Sequence, residues 1–262
     1  MSVIPKVIHY CWFGGNPLPD LAKKCIESWG KYCPDFEIRQ WDESNFDINC
    51  NQYVKEAYDS QKWAFVSDYV RLKIVYEYGG IYLDTDVELI KSLDDLIEYE
   101  GFMGFENSVH INTGLGFGAK KYNRIIKAML DDYNDISFIK KDGTFDLTPC
   151  PIRNTNTLIK TGLLSNGTKQ IIDNIVFLPR EYMCPINYET GKMRITDITY
   201  SIHHFDESWH TESEKQWQSK KRKYKNVFGK KIGTYLYLID KSLKVNGYVQ
   251  TFKKGINKLL KI

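Results

Sequence analysis

Residues 63–91 constrain the fold of this chain more than any other segment. They contain a long apolar run, WAFVSDYVRLKIVYEY, followed by Gly79-Gly80 and the short apolar stretch IYL. Apolar residues recur in the run at three- to four-residue spacing, which predicts a helix, and the two glycines predict its end. The stretch that follows predicts a buried strand, so a helix and a strand are joined here by a tight connection.

Predicted strands and helices also alternate along the rest of the chain. Strands are predicted within 6–15, 36–42, 81–89, 101–107, 112–120, 175–185 and 198–205, and helices within 18–32, 63–80, 122–133 and 154–164. This alternation is typical of an α/β sheet with helices on its faces. A length of 262 residues allows one large α/β domain, with or without a small appendage.

Two carboxylates, Asp84 and Asp86, follow the predicted strand in GGIYLDTDVELIK. In an extended chain their side chains would point to the same side, roughly 6.5–7 Å apart. A lone D-x-D is common among solvated surface acids, but ligands of open α/β sheets bind outside the carboxyl ends of the strands. We therefore expect a divalent cation, Mn²⁺ or Mg²⁺, between the two aspartates, where it could bind a diphosphate.

Other polar side chains accompany this pair. Asp68 and Arg71 share one face of the predicted helix, either as a simple ion pair or as a binding pair for sugar hydroxyls or phosphate oxygens. His203 and His204 lie on a late predicted strand, where neighbours point to opposite faces, so at most one of them can be a third metal ligand. Trp12, beside a Gly-Gly loop, is either a core residue or a stacking platform for a nucleobase.

Several other classes of site and segment are not indicated. The six cysteines form no C-x-x-C, and no P-loop or G-x-G-x-x-G that opens a helix is present. The start of the chain is unlike a signal peptide, and no run of 18 apolar residues occurs. These features predict a cytosolic protein with reduced thiols.

Charge is distributed unevenly. Residues 215–262 hold 14 Lys and Arg with one acid, whereas residues 1–214 hold 22 bases and 32 acids. We predict a catalytic domain at 1–214 and a basic, helical extension at 215–262 that meets an anionic partner. An anionic membrane surface suits its mixture of lysine and apolar residues. The alternatives are a helical cap with a solvated lysine face and a nucleic-acid-binding tail, although no nucleic-acid-binding motif accompanies the bases.

Three segments together resemble a known family. IPKVIHYCWFGG, AFVSDYVRLKIVYEYGGIYLDTDV and IHHFDESW, in this order, resemble the DXD-containing sugar transferases of glycosyltransferase family 32. That family includes bacterial capsular-polysaccharide transferases and fungal mannosyltransferases, and the first two segments are also similar to the catalytic core of the large clostridial glucosylating toxins. The resemblance implies a GT-A fold, which is a Rossmann-like mixed sheet flanked by helices, here followed by the basic helical tail.

The resemblance also implies roles for matching positions. The catalytic set is Asp68, Arg71, Asp84 and Asp86, and the donor-binding set is Trp12, Tyr82, Asn112, Ser208 and Trp209. Trp12 would stack on the nucleobase, while Ser208 and Trp209 would bind the diphosphate. His204, with His203 as the alternative, would complete a metal site with Asp84 and Asp86.

The implied activity is metal-dependent, retaining transfer of a hexose from a nucleotide-sugar donor, with a UDP-sugar favoured. The implied acceptor is a glycan or lipid-linked glycan in surface or capsular polysaccharide synthesis, reached in the cytoplasm or at the inner face of the membrane. A toxin-like protein-modifying transferase and a nucleotide-sugar hydrolase are the alternatives within enzymes. A basic nucleic-acid-binding protein is the alternative outside them.

Overall fold

The structure is a computed structural model that describes residues 3–187, 190–206, 212–229 and 231–244. The chain divides into two compact units. The first, here called the α/β unit, comprises Met1–Ile186 and Met193–Asp206. The second, here called the C-terminal unit, comprises Asn187–Lys192 and Glu207–Ile262.

The α/β unit is built on a mixed sheet. Its strands are β1 (Val7–Cys11), β2 (Glu37–Trp41), β3 (Gly80–Tyr82), β4 (Val87–Leu89), β5 (Gly101–Gly104), β6 (Phe117–Ala119), β7 (Gln170–Ile172), β8 (Ile175–Leu178) and β9 (Ser201–His203). Seven of them form a sheet in the order β2-β1-β3-β6-β5-β8-β7, and β4 pairs with β9 in a separate antiparallel ladder. The expectation of a mixed sheet flanked by helices is confirmed.

Strand direction brings several loops to one edge of this sheet. β1 runs parallel to β2 and β3, and β5 runs parallel to β8. β6, which lies between β3 and β5, is antiparallel to both. The carboxyl ends of β1, β3, β5 and β8 therefore meet the amino end of β6 at the same edge, here called the carboxyl edge, where ligands of open α/β sheets bind.

The described residues of the α/β unit form five α-helices: α1 (Asp20–Tyr32), α2 (Gln52–Asp59), α3 (Trp63–Tyr78), α4 (Arg124–Asp131) and α5 (Cys150–Lys160). α3 ends at Gly79, whose N–H donates to the carbonyl of Val75 and whose φ of 68° suits glycine. Side chains along the central strands alternate between two apolar cores, because neighbours on a strand point to opposite faces. Ile81, Phe102 and Val176 lie in one core, and Tyr82, Met103 and Phe177 lie in the other.

The structure differs from the sequence-based expectation in four places. Residues 81–89, expected as one strand, are split into β3 and β4, which belong to different sheets. Residues 112–120 begin with a 3-10 turn, Thr113–Leu115, before β6 starts. The helix α2 and the strand β7 were not predicted, because both are short and lack a long periodic pattern.

The C-terminal unit contains two helices in its described part, α6 (Glu212–Phe228) and α7 (231–244). They pack on one another through Tyr237, whose ring centroid lies 6.2 Å from that of Trp217, and through an ion pair of 2.5 Å between Lys220 and Asp240. Among the described residues, no helix combines the length and the apolar character that a membrane crossing requires.

His9 gives this fold a specific dependence on pH. Its ring is fully buried on β1, where Nδ1 accepts from Trp41 Nε1 at 3.1 Å and Nε2–H donates to the Gly79 carbonyl at 2.9 Å. Burial lowers the pKa of His9 to about 4 from its ordinary value of 6.5. The neutral ring therefore holds β1 against the end of α3.

We expect acidification to destabilise the protein through His9. Between pH 6.5 and 4 the unfolded chain binds a proton that the folded chain refuses, so the free energy of unfolding falls as the pH falls. The full effect of this shift is about 3 kcal/mol. In urea titrations across this range, His9→Gln should lose part of the pH dependence, whereas His110→Gln should keep it; equal slopes in all three proteins would contradict the assignment.

Candidate functional site

The two aspartates of the DXD segment lie in a turn at the carboxyl edge. Asp84 follows β3 closely, and the N–H of Val87 donates to the carbonyl of Asp84 at 3.0 Å, which reverses the chain before β4. The expectation that both side chains leave one extended strand is therefore wrong. Aspartate and threonine favour turns through local hydrogen bonds, which fits the turn that the chain makes here.

A histidine completes this cluster. One ligand atom each from Asp84, Asp86 and His203 lies within 4.8 Å of the others. His203 is buried, and its Nε2 lies 3.2 Å from Asp86 Oδ1. The cluster joins the end of β3 to the end of β9, two segments far apart in the sequence.

The structure brings His203 to the aspartates rather than His204, the residue favoured from the sequence. β9 pairs with β4 in the register Val87↔His203, which directs the His203 side chain towards the turn. His204 points elsewhere, with Nε2 2.8 Å from Glu88 Oε2. The sequence showed that only one of the two could reach the site, but the choice depends on this register.

The charged groups in the cluster shift one another's pKa values. Burial raises the pKa of Asp84, and the Arg71 guanidinium only partly offsets this effect. For Asp86, burial also acts to raise the pKa, but His203 and the N–H of Asp206, which donates to Asp86 Oδ2 at 2.9 Å, hold it low. For His203, burial acts to lower the pKa, but the two carboxylates raise it above its ordinary value.

Arg71 connects this cluster to α3. Its Nη2 lies 2.8 Å from Asp68 Oδ1 and 3.5 Å from Asp84 Oδ1, and its side chain is only 5% exposed. The guanidinium carbon lies 5.1 Å from the ring centroid of Tyr82, whose hydroxyl donates to Asp84 Oδ1 at 2.8 Å. Burial raises the pKa of Asp68 to about 6, although Arg71 opposes the shift. The structure thus joins four sequence-predicted residues in one buried polar network.

Asn112 extends the network from the amino side of β6. It is buried, its Oδ1 accepts from the N–H of Gly114 at 2.7 Å, and its Nδ2 donates to Glu106 Oε2 at 2.6 Å. The sequence analysis did not single out Glu106. Within the predicted strand 101–107, it follows the apolar run GFMGF as Asp84 follows IYL, so the position of an acid after an apolar run was a signal that could have identified it.

The remaining predicted residues are placed as follows. Trp12 follows β1 at the carboxyl edge, is half-buried, and donates from Nε1 to the carbonyl of Asn16 at 2.5 Å. Ser208 and Trp209 lie outside the described residues. Trp12 is therefore on the same edge as Asp84, and its role in stacking stays a prediction.

The residues at the turn fit a divalent cation. Carboxylate oxygens and an imidazole nitrogen suit Mn²⁺, and the carboxylates also suit Mg²⁺. Nδ1 of His203 is buried and makes no hydrogen bond among the described residues, so the imidazole is not committed to a structural role on both sides. Asp84, Asp86 and His203 are the side chains that would hold the ion.

Comparison with known proteins bears on this segment. Residues 19–103 match the family model described as "Glycosyltransferase sugar-binding region containing DXD motif". The matched range includes α3, β3 and both aspartates of the turn, but not His203, Asn112 or Glu106. The match covers about a third of the chain.

Curated relatives match between about a third and a half of the chain. Inositol phosphoceramide mannosyltransferase 3 of Schizosaccharomyces pombe is 36% identical over 110 residues, which are 39% of this chain and 30% of the relative. The uncharacterized glycosyltransferase L373 of Acanthamoeba polyphaga mimivirus is 34% identical, covering 36% of this chain and 40% of its own. Mannosyl phosphorylinositol ceramide synthase SUR1 of Saccharomyces cerevisiae is 23% identical, covering 53% and 37%. Each match spans less than half of the relative's length.

Two solved structures are similar in part. The PaToxG glycosyltransferase covers 60% of this chain and 69% of its own at 18% identity, with a TM-score of 0.43. A glycosyltransferase involved in the glycosylation of the major capsid of PBCV-1 covers 82% and 99% at 13% identity, with a TM-score of 0.45. Both scores are below 0.5 and both identities below 25%, so neither likeness bears on activity.

Gly114 allows a sharp test of the site. A methyl group at this position would lie 3.0 Å from Asn112 Oδ1 and 3.1 Å from Arg71 Nη1, and closer still to Asp84 Oδ2. We expect Gly114→Ala to displace the Asp84 carboxylate and to weaken Mn²⁺ binding by about tenfold or more, measured by calorimetry.

The matched control is Gly30→Ala. Gly30 is exposed on α1, and a methyl group there meets only Ile38 Cδ1 at 4.0 Å, so the variant should bind Mn²⁺ like the original protein. Melting curves establish that both variants are folded. Unchanged Mn²⁺ affinity in folded Gly114→Ala would show that the ion does not bind at Asp84.

Proposed function

We propose that this chain is a glycosyltransferase that moves a sugar from a nucleotide-sugar donor to an acceptor hydroxyl with the help of Mn²⁺ or Mg²⁺. The observation that carries the proposal is the cluster of Asp84, Asp86 and His203, with ligand atoms within 4.8 Å of one another at the carboxyl edge. The match of residues 19–103 to a DXD sugar-binding region supports it, since both aspartates lie in that range.

The chemistry follows from the charges at the edge. Departure of a nucleoside diphosphate requires positive charge near its oxygens, which a divalent ion held by Asp84, Asp86 and His203 would supply. Tyr82 orients Asp84 through its hydroxyl, and Arg71 adds a fixed positive charge beside it. Trp12 would stack on the nucleobase, and Asp68, paired with Arg71, would contact the donor sugar.

We infer a front-face reaction that retains the anomeric configuration, on the basis of the resemblance to family 32. The bond between the anomeric carbon and the diphosphate oxygen breaks, and the acceptor oxygen bonds to the anomeric carbon on the same side. The departing diphosphate takes the proton of the acceptor hydroxyl. No covalent intermediate on the protein is needed.

The acceptor is proposed to be a glycan or a lipid-linked glycan, and the donor a UDP-sugar. The names of the curated relatives refer to transfer of mannose to inositol phosphoceramide, which supports a lipid-bearing acceptor. The resemblance to capsular-polysaccharide transferases favours synthesis of a surface polysaccharide. A nucleotide-sugar hydrolase would use the same donor site with water as the acceptor, and a protein-modifying transferase would use a side chain.

A panel of UDP- and GDP-sugars, with and without Mn²⁺, tests the proposal through release of free nucleotide. Asp86→Asn keeps an oxygen for the N–H of Asp206 but removes the charge, so we expect release to fall roughly a hundredfold or more. Asp59→Asn is the matched control, because Asp59 lies on the surface of α2 in an ion pair with Lys55.

The outcomes separate the alternatives. Nucleotide release that is slow with water alone and faster when a glycan acceptor is added supports a transferase. Nucleotide release that no acceptor accelerates supports a hydrolase. Full activity in Asp86→Asn would refute the proposed site. If no nucleotide binds and the protein instead retains nucleic acid, the non-enzymatic alternative gains support.

We also propose that the C-terminal unit contacts an anionic lipid surface, where a lipid-linked acceptor would be presented. Tyr237 of α7 packs against α6. The exposed apolar residues of α7 recur at three- to four-residue spacing: Ile232, Tyr235, Leu238 and Ile239. Residues 215–244 include ten Lys or Arg and one acid, Asp240, which is already paired with Lys220. An exposed apolar stripe within a strongly basic helix pair is complementary to an anionic lipid surface.

Vesicle sedimentation tests this contact with neutral phosphatidylcholine and with phosphatidylcholine that contains phosphatidylglycerol. We expect binding to the anionic vesicles only, and a loss of about tenfold or more in the double variant Ile232→Ser/Leu238→Ser. The control is Ile159→Ser/Leu164→Ser, which changes equally exposed apolar residues of the α/β unit. Equal binding by the two variants, or equal binding to both vesicle types, would refute the membrane contact.

A further inference from the structure

Glu106 is held at the carboxyl edge by a closed loop after β5. Its N–H donates to the carbonyl of His110 at 2.8 Å, and the N–H of Asn112 donates to the carbonyl of Gly104 at 3.2 Å. Phe105 and Ile111 form an antiparallel bridge between these two bonds. These pairings set Glu106 across from His110 and Asn112 across from Gly104, so the side chains of Glu106 and Asn112 leave the same face of the loop.

Among the residues that the structure describes, only one oxygen of the Glu106 carboxylate accepts a hydrogen bond. Oε2 accepts from Asn112 Nδ2 at 2.6 Å, and Oε1 makes no hydrogen bond among the described residues. The side chain is half-buried, and its partner Asn112 accepts from the N–H of Gly114, which lies beside Asp84 of the proposed metal cluster. A carboxylate in this position offers one free acceptor to a ligand at the site.

The other contacts of the Asn112 amide fix its orientation, so Asn112 does not also occupy Oε1 of Glu106. Its Oδ1 already accepts from the N–H of Gly114 at 2.7 Å and from Cys150 Sγ at 3.6 Å, so its Nδ2 must face Glu106. Gly114 in turn lies against Asp84 and Arg71. Glu106 is thus linked through Asn112 and Gly114 to the aspartate turn.

We propose that Glu106 determines donor specificity by accepting a hydrogen bond from a hydroxyl of the transferred sugar through Oε1. The inference rests on the proposed function, because it places a nucleotide sugar at the turn. An ionised carboxylate can only accept, so it selects a hydroxyl donor and repels the diphosphate. A site built to hydrogen-bond a hydroxyl strongly disfavours a substrate that lacks it.

Glu106→Gln separates this role from support of Asn112. The amide oxygen of glutamine can still accept from Asn112, but an NH₂ group then stands where the free carboxylate oxygen was. We expect the dissociation constant of the nucleotide sugar cleaved in the donor panel to rise about tenfold, which corresponds to about 1.4 kcal/mol. That of its free nucleoside diphosphate should not change.

Calorimetry of both ligands requires no turnover, and Glu100→Gln provides the control. Glu100 is similarly half-exposed but pairs with Lys120, so its variant should bind both ligands like the original protein. A monodeoxy form of the donor that lacks the contacted hydroxyl should bind Glu106→Gln and the original protein equally. This identifies which hydroxyl meets Oε1.

Two results would overturn the inference. If Glu106→Gln binds both ligands normally while Glu106→Ala loses affinity for the nucleotide sugar, Glu106 only orients Asn112. If both ligands lose affinity equally in Glu106→Gln, the carboxylate acts on the nucleotide or the ion rather than on the sugar. Failure of the proposed function looks different, because the original protein would then bind neither ligand.

Discussion

The buried guanidinium of Arg71 is the interaction on which the site depends. A charge that is almost fully removed from water is costly unless it is paired, and Arg71 has Asp68 on its own helix and Asp84 after β3. The ring of Tyr82 covers the guanidinium, and the Tyr82 hydroxyl binds the same aspartate. These contacts tie α3 to the start of the turn, so the position of the first carboxylate is set by the core rather than by a surface loop.

The mixed sheet explains why other polar groups collect beside that turn. Because β6 is antiparallel to its neighbours, the loop before it reaches the edge at which β1, β3 and β5 end. Asn112 arrives from that loop and Glu106 from the end of β5, while the separate ladder of β4 and β9 brings His203. Five chain segments thus supply polar side chains to one edge, and the apolar cores on both faces of the sheet hold them in place.

Much of this arrangement could be predicted from local patterns. The helix 63–78, its end at Gly79, and the acids after IYL all depend on neighbours in the sequence, and the pairing of Asp68 with Arg71 follows from helical spacing. The conformation of the DXD segment could not be predicted, because alternating patterns do not distinguish a continued strand from a turn between two short strands. Glu106 was missed although it follows an apolar run, because the sequence does not show that its carboxylate accepts from Asn112.

The sequence by itself determined the α/β class, the acidic body with its basic tail, and the presence of two carboxylates where a buried strand ends. Only the tertiary structure decided that His203 rather than His204 meets them, and that Gly114 leaves room for Asp84 beside Arg71. The physical reason is that register between β4 and β9 is set by pairing and packing over more than a hundred residues of intervening chain. A shift of one residue in that register would exchange the two histidines, and no local property of the segment IHHF forbids it.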